Sequence, residues 1–241
     1  MKVLQVGDVH GDKTPLELAK KHINEVDMVV FPGDYADSFH NKWNDQKPIL
    51  MQILDFKRAN PDKVKVLLGN HDVAYLIGEI VSGHQLVYAY DVEEYLKRNK
   101  KEFAMVFVKD HWIFSHAGVS EEWMVDKGLT SLDDINDHYY WGDYQIFGKN
   151  SMEPYGNSIL EGCTWIRPSA LLRSGVKGYN QAVGHTEIND EARIILKRGD
   201  NLIVSEIDEP ADMKLVITDS TPRNVGAIID TETNEVKILT I

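Results

Sequence analysis

The chain has 241 residues and a single cysteine, Cys163, so it suits one large domain or two small ones and forms no intrachain disulfide. Acidic residues outnumber basic ones, 38 to 26, and the net charge of −12 disfavours tight binding to a nucleic-acid backbone, which draws on clustered Lys and Arg. No apolar run approaches the roughly 20 residues of a membrane span, and Met1-Lys2-Val3 enters an apolar stretch with no signal-peptide pattern, so the expectation is a cytoplasmic globular protein with no membrane or nucleic-acid partner.

In chain order, Lys2 to Val6 reads as a buried strand. Thr14-Pro15-Leu16-Glu17 carries a capping box with proline at the first helical position and predicts a helix to about Glu25. Asp27 to Phe31 is a second strand, Lys47 to about Ala59 a second helix, and Lys63 to Leu68 a third strand, followed by a helix from about Val73. Asp91 with Glu94 predicts a further capped helix ending in the basic run Arg98 to Lys101. Phe103 to Val108 and Trp112 to Phe114 form a strand pair around Lys109-Asp110, and Ser120 and Ser131 are N-caps of two more helices. From about Gln181 only strands are predicted: Gln181 to Val183, Ala192 to Leu196, Leu202 to Ser205, Lys214 to Thr218, Val225 to Ile229 and Val236 to Leu239. An α/β first half with a strand-rich tail implies two sheets covered by helices, in one domain spanning residues 1–241.

Five short motifs stand where these strands end: Gly7-Asp8-Val9-His10-Gly11, Gly33-Asp34-Tyr35-Ala36-Asp37, Gly69-Asn70-His71-Asp72, His116-Ala117-Gly118 and Gly184-His185-Thr186. Open α/β sheets bind ligands beyond the carboxyl ends of their strands. The side chains gathered this way are Asp8, His10, Asp34, Asn70, His116 and His185. One such motif alone is a turn, and His116 alone is a core histidine; five in succession at strand ends are not five independent turns. Carboxylate, amide and imidazole together suit divalent Mn, Fe or Zn better than Ca or Mg, and the thiolates of most structural zinc sites are missing.

The series GD-x-H-G, GD-x-x-D, GNH-D, H-x-G and GH-T resembles the calcineurin-like metallophosphoesterase superfamily, and within it the phosphoprotein phosphatases of bacterial and phage type. The resemblance implies two stacked mixed β-sheets flanked by helices, a four-layer sandwich with a two-metal site at one edge. It implies that Asp8, His10 and Asp34 hold the first metal, and that Asp34 bridges to a second completed by Asn70, His116 and His185. Mn is the first expectation, with Fe, Zn, Ni or Mg as alternatives. Two such metals generate hydroxide at neutral pH and clamp phosphoryl oxygens. His71 follows the ligand Asn70 and fits a general acid for the leaving alkoxide, with Asp37 orienting it. Asn70 is also a candidate phosphate contact.

The sequence departs from the eukaryotic-type pattern at Ser38 and Leu68, where those phosphatases carry phosphate-holding arginines. Arg167, in Cys163-Thr164-Trp165-Ile166-Arg167, resembles the Trp-x-Arg of bacterial members and is the candidate phosphate clamp. Lys13, Arg173 and His40 are read as solvated surface, as are His22, His84, His111 and His138. Gly184-His185-Thr186-Glu187 lacks the second histidine of GH-x-H phosphodiesterases, which matches the phosphoprotein phosphatase branch; Glu187 is the alternative carboxylate ligand there. Trp141-Gly142-Asp143 is expected at the site's rim, and Tyr139 to Tyr155 as a packed loop or a substrate lip. The function expected is phosphomonoester hydrolysis on phosphoserine or phosphothreonine in proteins. The alternatives are a dinucleoside polyphosphate or other small phosphoester as substrate, and a phospho-binding pseudoenzyme, which the full motif set disfavours.

Overall fold

The structure is a computed structural model that describes residues 1–153, 156–189, 193–199, 201–205, 211–221 and 223–240. In chain order it contains β1 (Lys2–Val6), α1 (Thr14–His22), β2 (Met28–Phe31), α2 (Trp43–Ala59), β3 (Val64–Val66), α3 (Asn70–Ile77) and α4 (Ala89–Arg98). The hairpin β4 (Val106–Lys109) and β5 (Trp112–Ser115) precedes α5 (Glu121–Asp126), α6 (Leu132–Trp141) and α7 (Pro168–Ser174). Strands β6 (Asn180–Val183), β7 (Ile188–Asn189), β8 (Arg193–Arg198), β9 (Asn201–Ser205), β10 (Met213–Ile217), β11 (Ser220–Thr221), β12 (Val225–Asp230) and β13 (Val236–Thr240) complete it.

Two large mixed sheets form, in the orders β13-β12-β1-β2-β3 and β4-β5-β6-β10-β8-β9, beside a small pair, β11-β7. Side chains alternate across each strand, and that alternation explains the layers. Val3, Met28, Val30, Ala227 and Ile229 of the first sheet share a buried cluster with Trp112, Phe114, Ala182 and Val216 of the second. Their opposite faces take helices: Leu4, Val6, Val29 and Phe31 pack with Leu16 and Leu18 of α1 and Leu50, Ile53 and Leu54 of α2. On the far side, Val183, Leu215 and Ile217 pack with Ala170, Leu171 and Leu172 of α7. The expected stack of two mixed sheets flanked by helices is therefore present. No described helix is long and apolar enough to cross a membrane.

Several boundaries differ from the sequence expectation, each for a local reason. Thr14 does not cap α1; its N–H and hydroxyl both donate to Asp12 Oδ1, at 2.8 and 2.7 Å, so Asp12 supplies the acceptor; at its other end the helix stops at His22. Helix α2 begins at Trp43 and carries Pro48 inside it. Helix α4 begins at Ala89, which leaves Asp91 in its first turn without a side-chain cap. Ser120 and Ser131 do cap α5 and α6, accepting from Trp123 N and Asp134 N. The short helix α7 falls in a stretch for which the sequence reading had no element. Ala192, the expected start of β8, and Tyr155 lie outside the described residues.

The most consequential shift concerns α3. It starts at Asn70, three residues before the expected Val73, so Asn70, His71 and Asp72 form its first turn. Asp72 at the third position accepts the Gly69 N–H at 2.9 Å, which is the carboxylate half of a capping box.

Candidate active site

Strands β1, β2 and β3 run parallel in one sheet, and β5, β6 and β10 run parallel in the other. Their carboxyl ends therefore gather at one edge of the stack. Thr218, just past β10, ties this edge together: its hydroxyl sits 2.9 Å from Val6 O and 3.2 Å from Val183 O, and accepts from Gln5 Nε2 at 3.2 Å.

The loops leaving those ends are tightly bent. His10, Asp34, Asp37 and His185 all have left-handed backbone, with φ of 41°, 55°, 63° and 59°. Such conformations cost on the order of 1–3 kcal/mol each and persist only where surroundings enforce them; Asp and His tolerate them better than most residues. Two glycines make room for carboxylates. A Cβ on Gly184 would fall 1.9 Å from Asp8 Oδ1, and one on Gly69 would fall 2.1 Å from Asp34 Oδ1. Sterics thus account for two of the motif glycines.

All six expected ligands converge. Asp34 Oδ2 lies 3.4 Å from both His10 Nε2 and His116 Nε2. His116 Nε2 is 2.9 Å from Asn70 Oδ1 and 3.2 Å from His185 Nδ1. Asp8 Oδ2 accepts the His185 N–H at 2.9 Å, while Asp8 Oδ1 is buried without a hydrogen-bond partner, 3.9 Å from a similarly unpartnered His116 Nδ1. Ligand-type atoms of Asp8, Asp34 and His116 lie within 4.8 Å of one another, as do those of His10, Asp34 and His71. Asp34 belongs to both groups, as a shared ligand must.

Electrostatics favour a cation here. Burial, Asp219 and Asp34 push the Asp8 carboxyl well above the usual range, because three acids crowd a dry site. Burial also pushes His116 down to about 4, against the pull of Asp34, and pushes His185 down with help from His116 and Arg167. Neutral imidazoles are the metal-binding form. Two rings are also oriented from behind: His10 Nδ1 is 2.9 Å from Ala36 O, and His185 Nε2 is 3.1 Å from Trp165 O. Carbonyl acceptors of this kind fix which nitrogen faces a metal. The donor set fits a pair of divalent cations.

His71 is sorted differently. Its Nδ1 lies 3.1 Å from Asp37 Oδ2. Burial disfavours its charge, yet Asp34 and Asp37 outweigh burial and raise it above the ordinary value. Arg167 is half-buried, and its Nη1 donates to His185 O at 2.8 Å and Thr186 Oγ1 at 3.2 Å, so the guanidinium is anchored on the loop that carries His185.

Five side chains here, Asp72, Asp219, Arg223, Tyr75 and His84, escaped the sequence reading. Asp72 joins the loops of Asp34 and Gly69. Asp219, at the end of β10, accepts from Arg223 Nη1 at 2.6 Å, and the same nitrogen reaches Asp8 O at 3.3 Å. An acid at a sixth strand end was the available signal. His84 is not a surface residue: its side chain is 5% exposed and stacks on Tyr75 with ring centroids 4.1 Å apart. Among the rest, Gly142 caps α6, Asp143 sits 2.9 Å from His138, and Tyr139 and Phe147 are buried, while Tyr140, Trp141 and Met152 between and beyond them are exposed. Cys163 is buried and reduced, with its thiol pushed up by burial. A cleft of about 630 Å³ opens from His10, lined by Lys13, Ser38, Phe39, Asn41 and Arg223.

Residues 1–205 match the calcineurin-like phosphoesterase family. The chain belongs to that family. No curated protein sequence matches it. A cold-active protein-tyrosine phosphatase from a psychrophilic Shewanella species is similar in structure, with a TM-score of 0.58 and 18% identity over 99% of this chain and 80% of that one. A protein serine/threonine phosphatase from Saccharomyces cerevisiae gives a TM-score of 0.59 and 10% identity, over 100% of this chain and 80% of that one. The chain is thus a metal-dependent hydrolase of the calcineurin-like phosphoesterase family.

Proposed function

We propose that the protein hydrolyses phosphomonoesters of alcohols, with phosphoserine or phosphothreonine in a partner protein as the substrate. The observation that carries this reading is the His71–Asp37 pair at 3.1 Å. An alkoxide is a poor leaving group and needs a proton as it departs. A phosphate anhydride, as in a dinucleoside polyphosphate, leaves without one, so a dedicated acid beside the site favours the alcohol ester. Asp37 accepts the His71 Nδ1–H, which directs Nε2 toward the ester oxygen and stabilises the charged ring.

Asp8, His10, Asp34, Asn70, His116 and His185 would hold the cations, with Mn proposed for its match to this mixed donor set. Bound there, two divalent cations would polarise the phosphoryl oxygens and activate water for in-line attack. Arg167 supplies the opposing charge that Ser38 and Leu68 do not, and Asn70 a further phosphate contact. The open cleft beside His10 suits a polypeptide more than an enclosed small molecule. Gly184-His185-Thr186-Glu187 and Trp165-Ile166-Arg167 support placement with the bacterial and phage-type phosphoprotein phosphatases.

The test is a comparison of initial rates with Mn(II) on phosphoserine, phosphothreonine and phosphotyrosine peptides, a diadenosine polyphosphate and an aryl phosphodiester. The tyrosine peptide is included because one structural neighbour is named for that activity. Highest kcat/KM on the serine or threonine peptide supports the reading; highest kcat/KM on the diadenosine compound overturns it.

A further inference from the structure

Asp37 is surrounded by more than His71. Tyr75 lies one helical turn beyond His71 on α3, so the two side chains share a face. Both address the same carboxylate: His71 Nδ1 at Asp37 Oδ2, and the Tyr75 hydroxyl as donor to Asp37 Oδ1. The Tyr75 oxygen in turn accepts the Gln85 N–H at 3.0 Å. His84 lies nearly parallel over the Tyr75 ring, at 21°, with Nδ1 3.6 Å from Asp37 Oδ2. Asp37 itself is fully shielded and holds a left-handed backbone, φ 63°.

A carboxylate free to rotate could present either oxygen, or a bridging geometry, to His71. With Oδ1 occupied by a phenol and the carboxylate fully shielded from water, Oδ2 and one orientation remain for His71. We propose that Tyr75, backed by His84, is a positioning residue for the reaction: it locks Asp37 so that His71 Nε2 is aimed at the leaving oxygen. The proposal rests on His71 acting as the acid, as argued above. Nothing in the chemistry requires Tyr75 to give up its proton.

The experiment compares wild type, Tyr75→Phe, His71→Asn and the double variant, each loaded with Mn(II), on an alkyl phosphate and on nitrophenyl phosphate. A general acid is worth roughly 10²–10⁴-fold, and Tyr75→Phe should forfeit part of that, about tenfold on the alkyl phosphate. On nitrophenyl phosphate, whose leaving group needs little protonation, the loss should be within about twofold. In the His71→Asn background, Tyr75→Phe should change neither rate further, and metal content should match wild type. Equal losses on both phosphates, or the same loss with and without His71, would overturn the positioning role. If His71→Asn itself leaves the alkyl phosphate rate intact, the acid reading fails first and the proposal with it. Should Tyr75→Phe not yield folded protein, His84→Ala decides: it should lose alkyl activity selectively, and an unchanged alkyl rate would overturn the proposal. Unselective loss in His84→Ala counts against the proposal.

Discussion

Asp72 holds Asp34 by its backbone: the Asp34 N–H donates to Asp72 Oδ2 at 2.8 Å. The same buried carboxylate takes the N–H groups of Tyr35 and Gly69, each at 2.9 Å. One side chain on α3 thus joins the loops that follow β2 and β3, and fixes the residue in reach of both metal groups. In Asp72→Asn one oxygen becomes an amide nitrogen facing backbone donors. An unsatisfied buried donor costs about 1–3 kcal/mol, so thermal melts should show a loss of that order. Mn(II) affinity should fall as well, because these bonds help to hold the left-handed turn at Asp34. Unchanged affinity would make Asp72 a purely structural brace.

Gly184→Ala isolates a steric effect. Gly184 is not among the left-handed residues, so an added methyl meets no backbone penalty, only Asp8 Oδ1 at 1.9 Å. The carboxylate must move, and metal should bind weakly while the fold persists. Elemental analysis with a far-UV spectrum checks this; full metal content would show that Asp8 relocates without harm.

Metal removal should be read in stability as well as rate. A ligand that binds only the folded state adds about 2.7 kcal/mol at a hundredfold excess over its Kd. Chelation should therefore lower Tm and abolish hydrolysis, and Mn(II) should restore both. Asp34→Asn should blunt the Tm response and lower occupancy of both sites, since Asp34 Oδ2 lies equally close to His10 and His116. A full single equivalent at unchanged affinity in that variant would count against sharing.

The pH profile carries a sign. Burial opposes charge on His71, but Asp34 and Asp37 raise it above its ordinary value. As an acid it works while protonated, so kcat/KM should fall as pH climbs through its titration, with cations on Asp34 offsetting that carboxylate's pull and leaving Asp37 as the partner that favours the charged ring. Asp37→Asn removes one of the charges that raise it and should move the falling limb to lower pH. A limb that stays in place would assign it to another group.

The layered fold and the convergence of Asp8, His10, Asp34, Asn70, His116 and His185 were legible because they depend on short-range patterns: apolar runs for strands, and glycine-flanked polar residues at their ends. Helix starts were less so. Asp12 took the role expected of Thr14, and Asn70 entered α3 because Asp72 satisfies Gly69 three residues behind it, a local capping bond that an apolar pattern starting at Val73 does not display. Arg223 and His84 belong to the site only through folding. Arg223 is 215 residues from the Asp8 carbonyl it approaches, and no local pattern announces such a pairing. His84 looked like surface because its neighbours Val81 to Gln85 are mixed in polarity; its ring is covered by Tyr75, not by its own segment.

Arg167 is the last point of decision. Ser38 and Leu68 supply no charge, so under the proposed function the outer phosphoryl oxygens would meet this guanidinium, which is held over the His185 loop by bonds to His185 O and Thr186 Oγ1. Losing a charge-assisted pair costs about 1.5–3 kcal/mol, or roughly 10–150-fold in kcat/KM. Arg167→Ala should fall in that range. The anchoring raises a second route to the same loss, because His185 has a strained backbone that Arg167 helps to hold. Thr186→Val separates them: it weakens one anchor while leaving the guanidinium in place, and should cost little if charge is what matters. A monoester carries two negative charges and offers Arg167 more than a diester does, so Arg167→Ala should narrow any preference for monoesters. Arg167→Lys should recover only part, since an ammonium cannot make the paired contact. If Arg167→Ala leaves monoester kcat/KM within about twofold of wild type, the clamp lies elsewhere, and Arg223 on the cleft wall becomes the residue to test.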